Sequence, residues 1–193
     1  MLAKKLKKYT IILASSSPRR QQFLKELGLK FIVKSIAVEE IYPNYLHGNE
    51  ITSFLAQLKA DAYLETLHPT DILITADTIV RLNGEILGKP KDIEQAKQML
   101  RNISGQKHEV ITSICIKTTE KLTIINDTTV VHFDELSDDE IEYYIENYKP
   151  FDKAGSYGIQ EWLGYIGVKK IEGSFFNVMG FPIHKFYKKM LEF

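Results

Sequence analysis

The stretch YTIILASSSPRRQQFLKELG, residues 9–28, joins an apolar run, a turn of three serines and a segment that begins with two arginines. The β-branched run before the serines predicts a buried strand. Pro18 suits the first position of a helix, which makes Ser17 the natural N-cap, and Gly28 is placed to end that helix. A strand, a serine turn and a helix start in this order direct several backbone N–H groups to one point.

Arg19 and Arg20 lie in the first turn of this predicted helix, where the positive end of the helix dipole disfavours cations. An anion bound at the same N-terminus would compensate, and guanidinium groups match phosphate with paired hydrogen bonds. Two interpretations stay open at this point. The turn is either a phosphate site or a capped surface helix whose arginines reach solvent or a nearby carboxylate.

The composition of the chain limits the classes of function. The 193 residues include 25 Lys and Arg and 25 Asp and Glu, so no net field favours nucleic acid or an anionic membrane. No stretch approaches the roughly 20 apolar residues of a membrane span, and the IILA run is too short for a signal peptide. The single cysteine, Cys115, lies in the apolar segment SICI and predicts a buried thiol in a reducing compartment. We expect a cytoplasmic protein that binds neither a nucleic acid polymer nor a membrane.

The rest of the chain alternates irregularly between strand and helix patterns. DILITADTIVRLNGEILGKP predicts a strand, a break and a hairpin that turns at Asn83-Gly84, and GYIGVKKIEG predicts a short hairpin or a pair of strands. Such a mixture favours an α/β fold with a mixed twisted sheet and flanking helices over a purely parallel sheet. Helices are predicted for EITSFLAQLKADAYLETL, DIEQAKQMLRNISGQ, SDDEIEYYIENY and FPIHKFYKKMLEF, and strands for KFIVKSIA, HEVITSICIKT and LTIINDTTVVHF.

Asp77 is the acid with the most unusual surroundings, because it interrupts the apolar run ILITADTIV. Aspartate is disfavoured in strands, and a buried carboxylate is tolerated where a metal, a cation or a catalytic task requires it. The alternative is that Asp77 caps a turn between two strands. The sequence around it leaves both interpretations open.

Other charged residues carry weaker signals. Lys59 lies at the margin of an apolar helix stripe and Lys89 follows the predicted hairpin, and each alone is typical of a surface lysine. Glu39 and Glu40 begin a loop, where an acid can bind a metal or face water. The acidic run at 137–140 is better explained as a helix start with a capping box than as a metal site.

DKAGSYGIQ, residues 152–160, has the composition of a ligand-binding loop. Its glycines and small residues let the backbone approach a ligand closely, and Gln160 offers both a donor and an acceptor to the edge of a nucleobase. A flexible surface loop is the alternative.

Seven stretches in this order resemble the Maf family of nucleotide pyrophosphatases: LASSSPRRQQFL, VEE, LAQLKADA, ITADTIVRLNGEILGKP, ISGQKHEVITSICI, DKAGSYGIQ and IEGSFFNVMGFP. Together they cover nearly the whole chain. The resemblance implies one Maf-like domain over residues 1–193, with an inosine-triphosphatase-like α/β fold, two lobes around a central cleft, and a homodimer. It also implies a house-cleaning enzyme that converts nucleoside triphosphates to monophosphate and pyrophosphate with a divalent metal, Mg²⁺ or Mn²⁺.

Within the family, SPRR and a KAGxYGIQ loop mark the branch that prefers dTTP and UTP. The branch that prefers 7-methyl-GTP has SPWR-like and CAGSFKSEG-like sequences, so this chain resembles the first branch. The resemblance implies that Asp77 is the catalytic base and binds the metal with a nearby glutamate. It implies a substrate-binding set of Ser15, Ser17, Arg19, Arg20, Lys59, Thr78, Lys89 and Gln160, in which Arg19, Thr78 and Gln160 stand at the positions that distinguish the pyrimidine branch.

Two segments depart from the family pattern. IAVEE replaces the usual S-x-V/I-D-E, so the metal-facing acid is Glu39 or Glu40, with Glu40 preferred because it ends the pattern. The loop runs GIQEWLGYIG where many members have GIQG. Two other functions stay open: a nucleotide-binding regulator of cell division or septation without turnover, and a 7-methyl-GTP pyrophosphatase. Retention of Asp77 favours an enzyme, because binding alone would be helped by removing negative charge near a triphosphate.

Overall fold

A computed structural model describes the whole chain, Met1–Phe193. Its seven strands are β1 (Thr10–Leu13), β2 (Phe31–Val33), β3 (Asp71–Leu82), β4 (Glu85–Leu87), β5 (Lys107–Lys117), β6 (Leu122–Phe133) and β7 (Val168–Glu172). They form one sheet in the order β2-β1-β3-β5-β6-β7, with β4 paired to β3. β1 is parallel to β2 and β3, whereas β4 and β7 are antiparallel to β3 and β6. The prediction of a mixed sheet is therefore confirmed.

Eight helices accompany the sheet, and none of them is both long and apolar enough to cross a membrane. Short 3₁₀ turns cover Leu64–Thr66, Pro150–Asp152 and Ala154–Ser156. The helices are α1 (Leu2–Lys5), α2 (Pro18–Glu26), α3 (Asn49–Asp61), α4 (Ile93–Ile103), α5 (Asp138–Tyr148), α6 (Trp162–Gly167), α7 (Phe175–Val178) and α8 (Ile183–Met190).

The chain forms two compact units, in agreement with the two predicted lobes. The first unit comprises Met1–Asp77, Thr112–Asp127 and Gly180–Phe193, and the second comprises Thr78–Ile111 and Thr128–Met179. The long strands β3, β5 and β6 each contribute residues to both units. A single domain over residues 1–193 stays a prediction.

The core of the first unit lies where α3 packs on the parallel strands. Ala56 and Ala60 of α3 are fully buried against Ile12 of β1 and Leu73 of β3, and their small side chains bring the helix close to the sheet. Cys115 is buried in the same cluster, as predicted, and its burial raises the pKa of the thiol to about 11. The thiol therefore stays protonated at neutral pH.

The core of the second unit is built by α4 and α5 on the sheet. Leu100 and Ile103 of α4 and Tyr144 of α5 are fully buried together with Phe133 of β6. The predicted capping box is present at the start of α5, where Ser137 and the third helical residue bond each other's backbone N–H groups. Acids 138–140 thus begin a helix, as predicted.

Two segments differ from the sequence prediction. β3 runs without a break through Asp77, because the ammonium of Lys59 pairs with the carboxylate inside the strand. GYIGVKKIEG forms the end of α6 and then one strand, β7, which pairs with β6 instead of folding back on a hairpin partner of its own. Gly167 ends α6 against the ring of Phe133, where a Cβ would lie 3.0 Å from Cε1.

Candidate active site

The serine turn between β1 and α2 has the predicted geometry. Ser17 is the N-cap of α2 and its side chain accepts the backbone N–H of Arg20, while Pro18 occupies the first helical turn. Ser15 is buried, and its Oγ lies 3.3 Å from the backbone nitrogen of Ser17. The hydroxyls of Ser15 and Ser17 thus lie in the turn before the α2 N-terminus, and Arg19 follows the proline in its first turn.

Arg20 does not simply extend into solvent. Its Nε donates to the carbonyl of Gly180 at 3.0 Å, and its Nη1 donates to the carbonyl of Ala76 at 2.8 Å. Burial lowers the pKa of Arg20 to about 10. Attraction to Asp77 opposes this shift, whereas repulsion from Arg19 adds to it. The side chain stays cationic at neutral pH and ties the start of α2 to the residue that precedes Asp77.

Asp77 lies at the centre of a charge cluster in the first unit. Its Oδ1 is 2.6 Å from the Nζ of Lys59, and the same ammonium is 3.0 Å from Oε1 of Glu40. The exposed fractions of the three side chains are 8% for Asp77, 19% for Lys59 and 48% for Glu40. Asp77 is therefore a buried strand carboxylate and not the cap of a turn. Of the two loop glutamates, Glu40 is the one that reaches this cluster.

The donor set around Asp77 fits a divalent cation bound together with phosphate. The protein has no group of three or more His, Cys, Asp and Glu side chains that would form a metal cage by themselves. Asp77 and Glu40 nevertheless pair with the same ammonium, so the two carboxylates lie near each other. Mg²⁺ is commonly held by one or two carboxylates, with water and substrate phosphates completing its coordination.

The second unit contains the other predicted substrate residues. Thr78 is partly buried in β3, directly after Asp77, and Lys89 is exposed after β4. The backbone nitrogen of Gly155 donates to the carbonyl of Gly88 at 3.1 Å. This hydrogen bond joins the segment before Lys89 to the predicted nucleobase loop.

The loop at 152–160 is mostly buried, so the alternative of a surface loop is wrong. Gly155 has a φ of +70°, and a Cβ there would lie 3.0 Å from the Val80 side chain, so a larger residue would be strained and crowded. Gln160 is partly buried, and its carbonyl accepts the hydroxyl of Tyr165 at 2.6 Å. The backbone that carries the glutamine amide is thus hydrogen-bonded to a residue of α6.

Sequence reasoning missed two features of this region. The carbonyl contacts of Arg20 depend on residues far apart in the chain, so no local pattern indicates them. The second feature is the contact of Glu161 with Tyr144 and Lys153, two side chains that the sequence did not single out. The only signal for it was the departure GIQE from the family pattern.

The structure sorts the predicted residues by unit. Within the first unit, Lys59 joins Asp77 and Glu40, and Arg20 contacts the serine turn. The first unit holds Ser15, Ser17, Arg19, Arg20, Glu40, Lys59 and Asp77, and the second holds Thr78, Lys89 and Gln160.

Comparison with known proteins agrees with the resemblance to the Maf family seen in the sequence. Residues 10–193 match the sequence model of the Maf family, described as Maf-like protein. This chain belongs to the Maf family, and the resemblance noted in its sequence is confirmed. It is 57% identical to the dTTP/UTP pyrophosphatase of Flavobacterium johnsoniae, with 97% of each chain covered. It is 55% identical to the dTTP/UTP pyrophosphatase of Flavobacterium psychrophilum, with 99% of this chain and 98% of the relative covered.

A solved structure supports the fold independently. The Ham1 protein of Staphylococcus aureus superimposes with a TM-score of 0.52 at 16% identity, covering 93% of this chain and 99% of that one. The predicted inosine-triphosphatase-like α/β fold is confirmed by this likeness, which concerns the fold alone.

Proposed function

We propose that this protein hydrolyses nucleoside triphosphates, with dTTP and UTP preferred, to the monophosphate and pyrophosphate. The observation that carries the proposal is Asp77, a buried carboxylate paired with Lys59 in the first unit, which also holds the serine turn. A carboxylate retained beside cations is suited to chemistry on an anionic substrate more than to binding alone. The names of the two Flavobacterium relatives support the substrate class.

In the proposed reaction, Asp77 accepts the proton of the attacking water. Lys59 and Arg19 neutralise charge on the phosphate oxygens, and Lys89 is proposed to contribute in the same way. The hydroxyls of Ser15 and Ser17 and the N-terminus of α2 bind the triphosphate. Such chemistry depends on positioning and charge neutralisation more than on covalent catalysis.

Asp77 and Glu40 would hold a divalent cation, Mg²⁺ or Mn²⁺. A bound cation of this kind lowers the pKa of a coordinated water and neutralises phosphate charge. A more acidic water needs only a weak base to accept its proton, and the carboxylate of an aspartate is such a base.

Base selection is proposed to rest on Gln160, with Thr78 and Arg19 shaping the same preference. The glutamine amide can donate to the O4 carbonyl and accept from the N3–H of thymine or uracil. Cytosine presents an amino group in place of the O4 carbonyl, which leaves buried polar groups unpaired and is discriminated strongly. Purines are excluded chiefly by their size.

The test is a nucleotide panel assayed for released pyrophosphate. Purified protein is incubated with dTTP, UTP, CTP, ATP or 7-methyl-GTP and either Mg²⁺ or Mn²⁺, and kcat/KM is measured for each. We expect dTTP and UTP to give the highest values. A best rate with 7-methyl-GTP would contradict the substrate assignment, and binding of dTTP without turnover would favour a nucleotide-binding regulator instead.

Homodimer formation and a cytoplasmic location stay predictions.

A further inference from the structure

The carboxylate of Glu161 lies inside the loop that carries Gln160. Glu161 is a charged residue at the start of the short helix α6, yet its side chain is only 20% exposed. Oε1 is 3.1 Å from the Nζ of Lys153, and Oε2 accepts the hydroxyl of Tyr144. The residue that follows Gln160 is therefore held by one cation and one phenol.

Tyr144 connects this carboxylate to the middle of the loop. Its hydroxyl oxygen accepts the backbone N–H of Gly158 at 2.9 Å while its proton is donated to Glu161. Burial and the hydrogen bond with Glu161 raise the pKa of Tyr144, so the phenol keeps the proton that it donates. Tyr144 is fully buried on α5, which makes it a fixed attachment point for the loop.

Gly158 leaves room for the carboxylate. A Cβ at this position would lie 2.7 Å from Cδ of Glu161, closer than real Cβ contacts allow. Lys153, at the other end of the loop, has a side chain only 8% exposed and also pairs with Asp152 at 2.7 Å. The ion pair between Lys153 and Glu161 thus joins the two ends of the loop.

We propose that Glu161 is a positioning residue that fixes Gln160 for recognition of the pyrimidine ring, an inference that rests on the proposed function. Glu161, the next residue in the chain, is anchored by the Tyr144 hydroxyl. The carbonyl of Gln160 itself accepts a hydrogen bond from the Tyr165 hydroxyl. A glutamine side chain has three rotatable bonds, and movement of its backbone would add further positions for the amide. Discrimination between a carbonyl and an amino group is therefore sharper when the backbone is held in place. A binding group ordered before the ligand arrives does not lose that freedom on binding.

The proposal is tested with Glu161→Gln and Tyr144→Phe. The first replacement is close in shape but removes the charge that pairs with Lys153, and the second removes the hydroxyl that bridges Glu161 and Gly158. For both variants we expect the preference for dTTP over CTP, measured as a ratio of kcat/KM values, to fall by about tenfold, as for loss of one charge-assisted hydrogen bond. KM for dTTP should rise by a similar factor, and kcat at saturation should stay within about threefold of the wild type.

Two further variants keep the result interpretable. Tyr143→Phe removes a hydroxyl from the neighbouring residue of α5, whose side chain is exposed, and should leave the dTTP-to-CTP ratio unchanged. Tyr165→Phe releases only the Gln160 carbonyl, and because Tyr165 is 74% exposed this variant is expected to fold even if Glu161→Gln does not. We expect it to lower the ratio by about threefold, as for loss of one neutral hydrogen bond.

The outcomes separate this inference from the proposed function. If the wild type releases no pyrophosphate from dTTP or UTP, the proposed function is wrong and the inference is overturned with it. If the wild type is active and selective, a uniform loss of activity on all nucleotides, with an unchanged dTTP-to-CTP ratio, would show that Glu161 only supports the fold. An unchanged ratio in Tyr165→Phe would overturn the proposal in the same way if the other variants do not fold.

Discussion

The Nζ of Lys59 lies 2.6 Å from Oδ1 of Asp77, and both side chains are largely shielded from water. A pair of this kind is weak evidence for a contribution to stability, because the cost of desolvating two charges offsets much of their attraction. It is better explained by function, since it places a carboxylate beside a cation within a strand without opening the strand to solvent. Stability and activity should therefore respond differently when the two partners are changed.

Asp77→Asn should reduce turnover of dTTP by at least about 100-fold, the low end for loss of a general base. The change is nearly isosteric, so the fold and the affinity for triphosphate should be retained. Steady-state pyrophosphate release and thermal unfolding measure the two effects separately. Asp71→Asn is the matched control, because Asp71 is also buried in β3 but caps the preceding turn through the His68 backbone. Wild-type turnover in Asp77→Asn would contradict the assignment of the base.

Lys59→Met should lower both stability and activity, for different reasons. It leaves the Asp77 carboxylate buried without this cation, which we expect to cost about 2 kcal/mol, below the range for a fully buried pair because Lys59 is partly exposed. The double variant Lys59→Met with Asp77→Asn should recover most of that stability but none of the turnover. Urea unfolding of the two single variants and the double variant measures the coupling. A purely additive loss of stability would mean that the pair is not coupled.

Arg19 and Arg20 should behave differently although they are adjacent. Arg19→Ala should reduce kcat/KM for every triphosphate by about 10- to 150-fold, as for loss of a charge-assisted hydrogen bond. Arg20→Ala removes the bonds to the carbonyls of Gly180 and Ala76, so its melting temperature should fall by about 5 °C. An unchanged melting temperature in Arg20→Ala, or wild-type kcat/KM in Arg19→Ala, would argue against this division of roles.

The local elements were predictable because their signals are local. Ser17, Pro18 and Gly28 fix the start and end of α2 by hydrogen bonding and backbone geometry within one or two turns. The continuity of β3 was not predictable, because the charge that permits Asp77 inside a strand comes from Lys59, 18 positions earlier in the sequence. A sequence pattern records the cost of a buried acid but not the cation that offsets it.

The same reasoning explains the mixed outcome in the second unit. The hairpin at Asn83-Gly84 was predicted from its turn residues, and Asn83 does adopt a positive φ of 50°. The segment of β7 resembles a hairpin in sequence, but its partner is β6, whose paired residues lie 35 to 42 positions earlier in the chain. The role of Glu161 was hidden because a glutamate near a helix start is ordinary, and only the position of Tyr144 makes it a buried partner.

Gln160→Ala should change base preference more than maximal rate. The ratio of kcat/KM for dTTP to that for CTP is expected to fall by at least about tenfold, because the replacement removes the groups that distinguish a carbonyl from an amino group. The measurement uses dTTP, UTP, CTP and 7-methyl-GTP on the wild type and the variant. Gln106→Ala, a replacement of an exposed glutamine in the same unit, is the matched control. An unchanged ranking of nucleotides in Gln160→Ala would remove Gln160 from base recognition.

His108 should make the stability of the protein depend on pH. Burial lowers the pKa of its imidazole to about 4, with added repulsion from His132, whereas in the unfolded chain histidine titrates near ~6.5. Above that value both states are neutral and the full stability is present. As the pH falls from about 6.5 to about 4, only the unfolded chain gains the proton, so the free energy of unfolding should decrease by about 3 kcal/mol. The free energy of unfolding, measured by urea unfolding at several pH values in this range, should depend less steeply on pH in His108→Gln than in the wild type. His184→Gln, whose side chain is exposed, should keep the wild-type pH dependence. The same pH dependence in the wild type and in His108→Gln would contradict the prediction.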